Sequence, residues 1–213
     1  MEGAMPHSTI PDATGLCRPF QDPVGDASRM FRAILTAMSH PGRIVTAFGP
    51  ADFPGTIGTT GFGAALTLLD TDTPVFLSPR IGDARTVANL RFHCGCPVVE
   101  NPQTAAFAIM SLAEADVILP SLPIGTPDYP DKSATAIILV DGFTNEDSVR
   151  LTGPGIFKYK TLGMKAPREF WASLRENSDR YPLGFDTLFI AEGEIVALPR
   201  STKIDPTVTV EEC

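Results

Sequence analysis

The run Ala134-Thr135-Ala136-Ile137-Ile138-Leu139-Val140 is the most apolar strand-like stretch of the chain. It shows no alternation of apolar and polar residues. A strand of that kind is covered on both faces and belongs at the centre of a sheet. With helices interspersed among strands first and hairpins later, the order of elements around it favours a mixed sheet covered by helices on both faces, a three-layer α/β domain.

Working upstream, residues 119–132 hold four prolines and read as a loop. Residues 107–110 read as a short strand, and residues 112–115 as a helical turn at most. Asp83 is placed to cap a helix reaching Cys94, with Val87, Leu90 and Cys94 at helical spacing and Gly95 and Pro97 as the stop. Residues 74–77 read as a strand, 56–69 as a buried helix with a glycine-rich start, and 43–48 as a strand. The first helix carries Met30, Phe31, Ile34, Leu35 and Met38 as one apolar stripe. Asp26 and Ser28 are its N-cap candidates, and Pro41-Gly42 ends it.

Downstream, residues 141–145 read as a hairpin-like turn and 148–152 as the strand it pairs. Gly153-Pro154-Gly155 breaks that strand. Pro167 suits the first turn of a helix over 168–177, with Phe170, Trp171 and Leu174 inward. Residues 186–191 and 195–198 read as a hairpin around Glu192-Gly193. The expected organisation is a loosely ordered arm over 1–20, one α/β domain over 21–204 and a mobile tail over 205–213.

Charge and composition narrow the function classes. The chain has 213 residues and a net charge of −8, which argues against a general binder of nucleic acid or of acidic membranes. No apolar run approaches a membrane span, and the N-terminus lacks the basic-then-apolar pattern of a signal peptide. The cysteines at 17, 94, 96 and 213 do not form a secreted disulfide framework. A cytoplasmic protein is therefore expected. The negative charge is uneven: residues 150–203 hold nine basic and six acidic side chains.

Three stretches carry candidate chemistry. Asn89-Leu-Arg91-Phe-His93-Cys94-Gly-Cys96-Pro97 is the densest in reactive groups. It reads either as a metal or thiol site or as a helix end with buried thiols. A zinc site needs three or four converging ligands, and no second Cys/His cluster is present; His7 and His40 stand alone. No metal is expected. Gly55, Gly58, Gly61 and Gly63 precede a helix as phosphate-cradling loops do, but without a Gly-Lys-Ser/Thr ending. The third stretch runs through Gly153 and Gly155 to Lys158, Lys160, Lys165 and Arg168. It reads as a solvated basic face or as a receiver of an anion or an acidic protein surface. Arg91, His93, Gly153, Gly155 and Lys158 are the candidate anion or partner contacts. No catalytic constellation emerges: no carboxylate pair stands out as an acid/base couple, and no lysine is marked as a Schiff-base former.

Ordered blocks of the chain resemble a known family. They are Phe31-Arg32 with Ala37-Met38-Ser39-His40-Pro41-Gly42, then Asp72-Thr73-Pro74-Val75, then Leu90-Arg91-Phe92-His93 followed by Pro97. Gly125-Thr126 with Ser133-Ala134-Thr135 follows, then residues 151–156, Tyr181-Pro182-Leu183-Gly184-Phe185-Asp186 and Ala197-Leu198-Pro199-Arg200-Ser201-Thr202. Together they resemble the H subunit of the bacterial carbon–phosphorus lyase system (PhnH, phosphonate metabolism). The resemblance implies a mixed sheet with helices on both faces, similar to a reduced pyridoxal-phosphate-dependent transferase without a working cofactor site. It implies an accessory subunit that holds no cofactor of its own and works with the G, I and J subunits. The reaction implied is formation of ribose 1-alkylphosphonate 5-triphosphate from ATP and an alkylphosphonate, before the carbon–phosphorus bond is cleaved. A homodimer is expected when the partners are absent. The competing expectation is a stand-alone enzyme or binding protein for a phosphorylated small molecule, using Arg91, His93 and the Gly153–Gly155 loop. The family pattern gives no catalytic residue to carry over.

Overall fold

In the computed structural model, which describes residues 15–53 and 55–205, strand β5 (Thr135–Leu139) is the middle strand of seven. Its side chains alternate between two apolar clusters: Ile137 joins one, while Ala136 and Ile138 join the other. All three are fully buried, so the run is apolar throughout because neither face meets water.

The other strands of the main sheet are β1 (Val45–Thr46), β2 (Val75–Leu77), β3 (Val98–Val99), β4 (Phe107–Ser111), β8 (Asp186–Ala191) and β9 (Glu194–Leu198). Their order is β1-β9-β8-β5-β4-β2-β3. Strands β3, β2, β4, β5 and β8 are parallel, and the β9–β1 edge is antiparallel. Helices α1 (Pro23–Ser39), α2 (Gly58–Leu68) and α3 (Ala84–Cys94) cover one face, contributing Met30, Ile34, Phe62 and Leu90. Helices α4 (Leu112–Ile118) and α5 (Arg168–Asp179) cover the other. They share it with a three-stranded antiparallel sheet of β6 (Thr144–Thr152), β7 (Lys160–Gly163) and β10 (Lys203–Asp205), in the order β10-β6-β7. The three-layer mixed sheet is thus as expected, with a small sheet added to one outer layer.

Several local expectations are corrected. Helix α1 starts earlier than Asp26: Asp22 is its N-cap, accepting from the Gly25 N–H at 3.1 Å, and Pro23 takes the first helical position. Three residues of its five-residue apolar stripe, Met30, Ile34 and Met38, pack on the core. Met30 and Ile34 are buried, whereas Phe31 and Leu35 are 45% and 50% exposed. The five residues span a wider arc than one helix–sheet contact covers. Helix α4 is longer than a turn and runs on into a 3₁₀ turn, Leu119–Ser121. Strand β6 pairs with β7 and β10 and not with β5, because β4 and β8 already flank β5. Strands β3, β7 and β10 were not expected at all. Residues 15–20 of the expected arm form no regular element; residues 1–14, with His7, lie outside the described residues, as do 206–213, with Cys213.

Candidate functional site

In an open α/β sheet, ligands sit at the carboxyl ends of the parallel strands, where consecutive crossovers diverge. Here that point lies between β2 and β4: β2 leads through α3 on one face, and β4 leads through α4 on the other. The first turns of α2, α3 and α4 are all at this edge. Helix N-termini carry unpaired N–H groups and a partial positive charge, and readily take an anion. In this chain a carboxylate stands beside each of the three, and at α3 it takes the first-turn N–H groups themselves.

Asp83 is the N-cap of α3. Its Oδ1 accepts from the Arg85 and Thr86 N–H groups at 2.9 and 3.0 Å. Its Oδ2 accepts from the Thr86 hydroxyl at 2.7 Å, and from the Thr56 N–H and hydroxyl at 3.1 and 2.5 Å. Burial works against ionisation, but these donors outweigh it and hold the carboxyl well below the usual carboxylate range. Asp83 therefore ties the glycine-rich approach to α2 onto α3.

Glu114, in the first turn of α4, bridges the ends of β2 and β4. It accepts from the Ser78 hydroxyl at 2.6 Å, the Ser111 hydroxyl at 2.7 Å and the Arg80 N–H at 3.1 Å. Burial again opposes the charge, and the serine hydroxyls and backbone donors override it and lower its pKa. Glu192, at the β8–β9 turn, accepts from the hydroxyls of Thr59 and Thr60 at the start of α2. Thr60 in turn accepts from the Gly193 N–H at 2.8 Å. The edge where a phosphate would be expected is laced shut by three carboxylates.

The residues singled out from the sequence fall in two separate places. Arg91 and His93 are in the last turn of α3. Gly153, Gly155 and Lys158 are in the β6–β7 connection, which lies against the end of α1: a Cβ on Gly155 would come within 2.4 Å of the Ser39 carbonyl oxygen. Helix α2 packs against both α1 and α3 and separates the two places. His93 is engaged structurally. Its Nε2 lies 2.9 Å from the Cys17 carbonyl oxygen, and its ring stands edge-on to Phe62 and Phe92. A carbonyl can only accept, so Nε2 carries the proton. Asn89 completes the clasp, accepting from the Cys17 N–H at 2.7 Å and donating to the Gly15 carbonyl at 3.2 Å.

The adjacent thiols belong to the helix end. Cys94 donates to the Ala65 carbonyl and Cys96 to that of Leu90. The hydrogen bond to Cys96, then burial, pushes the Cys94 thiol up, so it stays protonated. Gly95 between them is the left-handed cap of α3 (φ 67°). Among the described residues no three His, Cys, Asp or Glu side chains converge as metal ligands.

The β6–β7 connection is the other notable feature. Residues 150–168 contain five lysines and arginines and no acid. None of the five is in an ion pair among the described residues. Lys158 has φ 61°, the single non-glycine in the left-handed region among the described residues. Phe157 beside it is 88% exposed. The Arg150 guanidinium lies 4.1 Å from the centre of the Tyr159 ring, and the Lys158 ammonium 5.7 Å from that of Phe157. Sequence reading picked out the glycines and lysines here but missed the two aromatics, which no periodicity marks as exposed. It also missed Glu114 and Glu192. The Ser111-x-x-Glu114 spacing of a capping box is a signal that could have found the first; Glu192 meets Thr59 only through the fold.

Comparison with known proteins gives a consistent result. The family model described as bacterial phosphonate metabolism protein (PhnH) matches residues 18–205. A protein of Rhizobium meliloti (strain 1021), named alpha-D-ribose 1-methylphosphonate 5-triphosphate synthase subunit PhnH, is 31% identical over 190 residues, covering 87% of this chain and 94% of that protein. A protein of Stutzerimonas stutzeri, named putative C-P lyase subunit protein HtxG, is 28% identical over 179 residues, covering 82% of this chain and 84% of that protein.

Proposed function

Because the chain belongs to the PhnH family, we propose that it is an accessory subunit of a carbon–phosphorus lyase core complex in alkylphosphonate catabolism. The observation that carries this reading is the nearly end-to-end match to a relative named as a subunit of a ribose 1-methylphosphonate 5-triphosphate synthase. In this role the chain assists a transferase complex that joins an alkylphosphonate to the ribose of ATP, and it works with the G, I and J subunits in the cytoplasm. It contributes no cofactor. The carboxylates of Asp83, Glu114 and Glu192 at the strand ends support that part of the reading, because they put negative charge where a phosphate would bind and Asp83 takes the first-turn N–H groups of α3. The seven-stranded mixed sheet with one antiparallel edge supports a scaffold akin to a reduced pyridoxal-phosphate transferase. Without its partners the subunit pairs with itself. The stand-alone binding reading is the weaker one, since α2 stands between Arg91 and His93 and the Gly153–Gly155 loop.

The test is an omission assay. The complete subunit set is given ATP and methylphosphonate, and the triphosphate product is followed by phosphorus NMR. Product should form with the full set, fall away when this chain is left out, and be absent with this chain alone. Unchanged product on omission, or turnover by the isolated chain, would contradict the proposal.

A further inference from the structure

The β6–β7 connection adjoins the C-terminal end of α1. Val24, Phe31 and Leu35 lie roughly a third of a turn away from the buried Met30 and Ile34 and are 83%, 45% and 50% exposed. Ser39 is one turn beyond Leu35, and Gly155 sits directly against its carbonyl. Phe157 follows two residues later and is the most exposed of the large apolar side chains among the described residues. The shape of the loop that carries Phe157 is set by Gly153, Gly155 and the left-handed Lys158. Holding a lysine in that conformation costs about 1 kcal/mol or more, and such outliers recur where a segment is held for binding.

An exposed phenylalanine flanked by cations suggests both the contact and its chemistry. We infer that this surface is a protein–protein docking site, with Phe157 as the anchor and Lys158 and Lys160 as its cationic rim, for a partner subunit presenting an apolar pocket in an acidic surface. The inference rests on the accessory-subunit reading above. Charge decides the occupant. A two-fold pair of copies joined here would bring together two stretches that each hold five positive charges and no acid, which is unfavourable. An acidic partner instead pairs with them and is steered toward them. Self-pairing of the free chain therefore uses another face.

The test compares wild type, Phe157→Ser and the double variant Lys158→Glu/Lys160→Glu for comigration with the other subunits. Phe92→Ser serves as control, since Phe92 is an equally large, 66% exposed phenylalanine on a different element, α3. Thermal melts establish that each variant is folded. Wild type and the control should comigrate, while the two loop variants bind about tenfold more weakly or worse. Wild-type binding should also weaken as salt rises. Loop variants that comigrate like wild type overturn the docking site and leave the subunit reading intact. A wild type that does not comigrate overturns both. Loss of self-association in the loop variants, seen by light scattering of the chain alone, would make a second copy the occupant and overturn the proposal. Wild-type sedimentation with phosphatidylglycerol vesicles, lost in the loop variants, would overturn it in favour of a lipid surface.

Discussion

Asp83 accepts five hydrogen bonds from three residues on two segments, so its carboxylate organises more of the strand-end edge than any other side chain there. Replacing it by alanine removes a helix cap and should cost about 1–2 kcal/mol in urea unfolding. Its pH signature follows from the depressed folded pKa. The folded state then binds fewer protons than the unfolded state in acid, so the stabilisation is complete above about pH 5, begins to fall in the ordinary carboxylate range and is gone only once pH drops through the depressed folded value. Glu114 acts in the same direction. Unfolding curves between neutral and acid pH should therefore slope less in Asp83→Asn than in wild type; equal slopes would remove Asp83 from the account. His93→Ala should cost about 1 kcal/mol through the lost Cys17 contact and leave comigration with the partner subunits unchanged. The cap role of Asp83 was legible from its place before an apolar helical pattern. The role of His93 was not, because its partner is 76 residues away and is a backbone carbonyl.

Strand β5 is the element on which both cores rest. Ile138 is fully buried in the cluster with Phe170, Trp171 and Phe189. Ile138→Ala should cost about 2–5 kcal/mol, read as a shift in the urea midpoint. At the β6–β7 connection, Gly155→Ala would place a methyl against the Ser39 carbonyl and force a positive φ on a residue that resists it. That variant should melt lower than wild type by more than a typical surface substitution does. The central strand, the α3 cap and the β8–β9 hairpin could be read from local pattern because each depends on neighbours in sequence. The pairing of β6 with β10 could not, since it joins residues about fifty positions apart through a strand of only three residues. The outward part of the α1 stripe failed for a related reason: periodicity shows which residues share a face but not how much of that face a neighbour covers.

Over the whole molecule, charge and fold point to one kind of work. A chain of net charge −8 concentrates five positive charges and no acid within 150–168, next to exposed aromatics, while the strand-end edge carries three carboxylates of its own. This distribution is what the proposed subunit role requires. Treatment with pyridoxal phosphate and borohydride should accordingly give scattered lysine labelling or none by mass spectrometry; a stoichiometric adduct at one lysine would show a cofactor site. The most direct measurement is co-expression with the G, I and J subunits, followed by size-exclusion chromatography with light scattering. The account predicts that this chain elutes within an assembly of defined mass and fixed stoichiometry. Elution of the chain by itself, with all partners soluble and assembled, would contradict it.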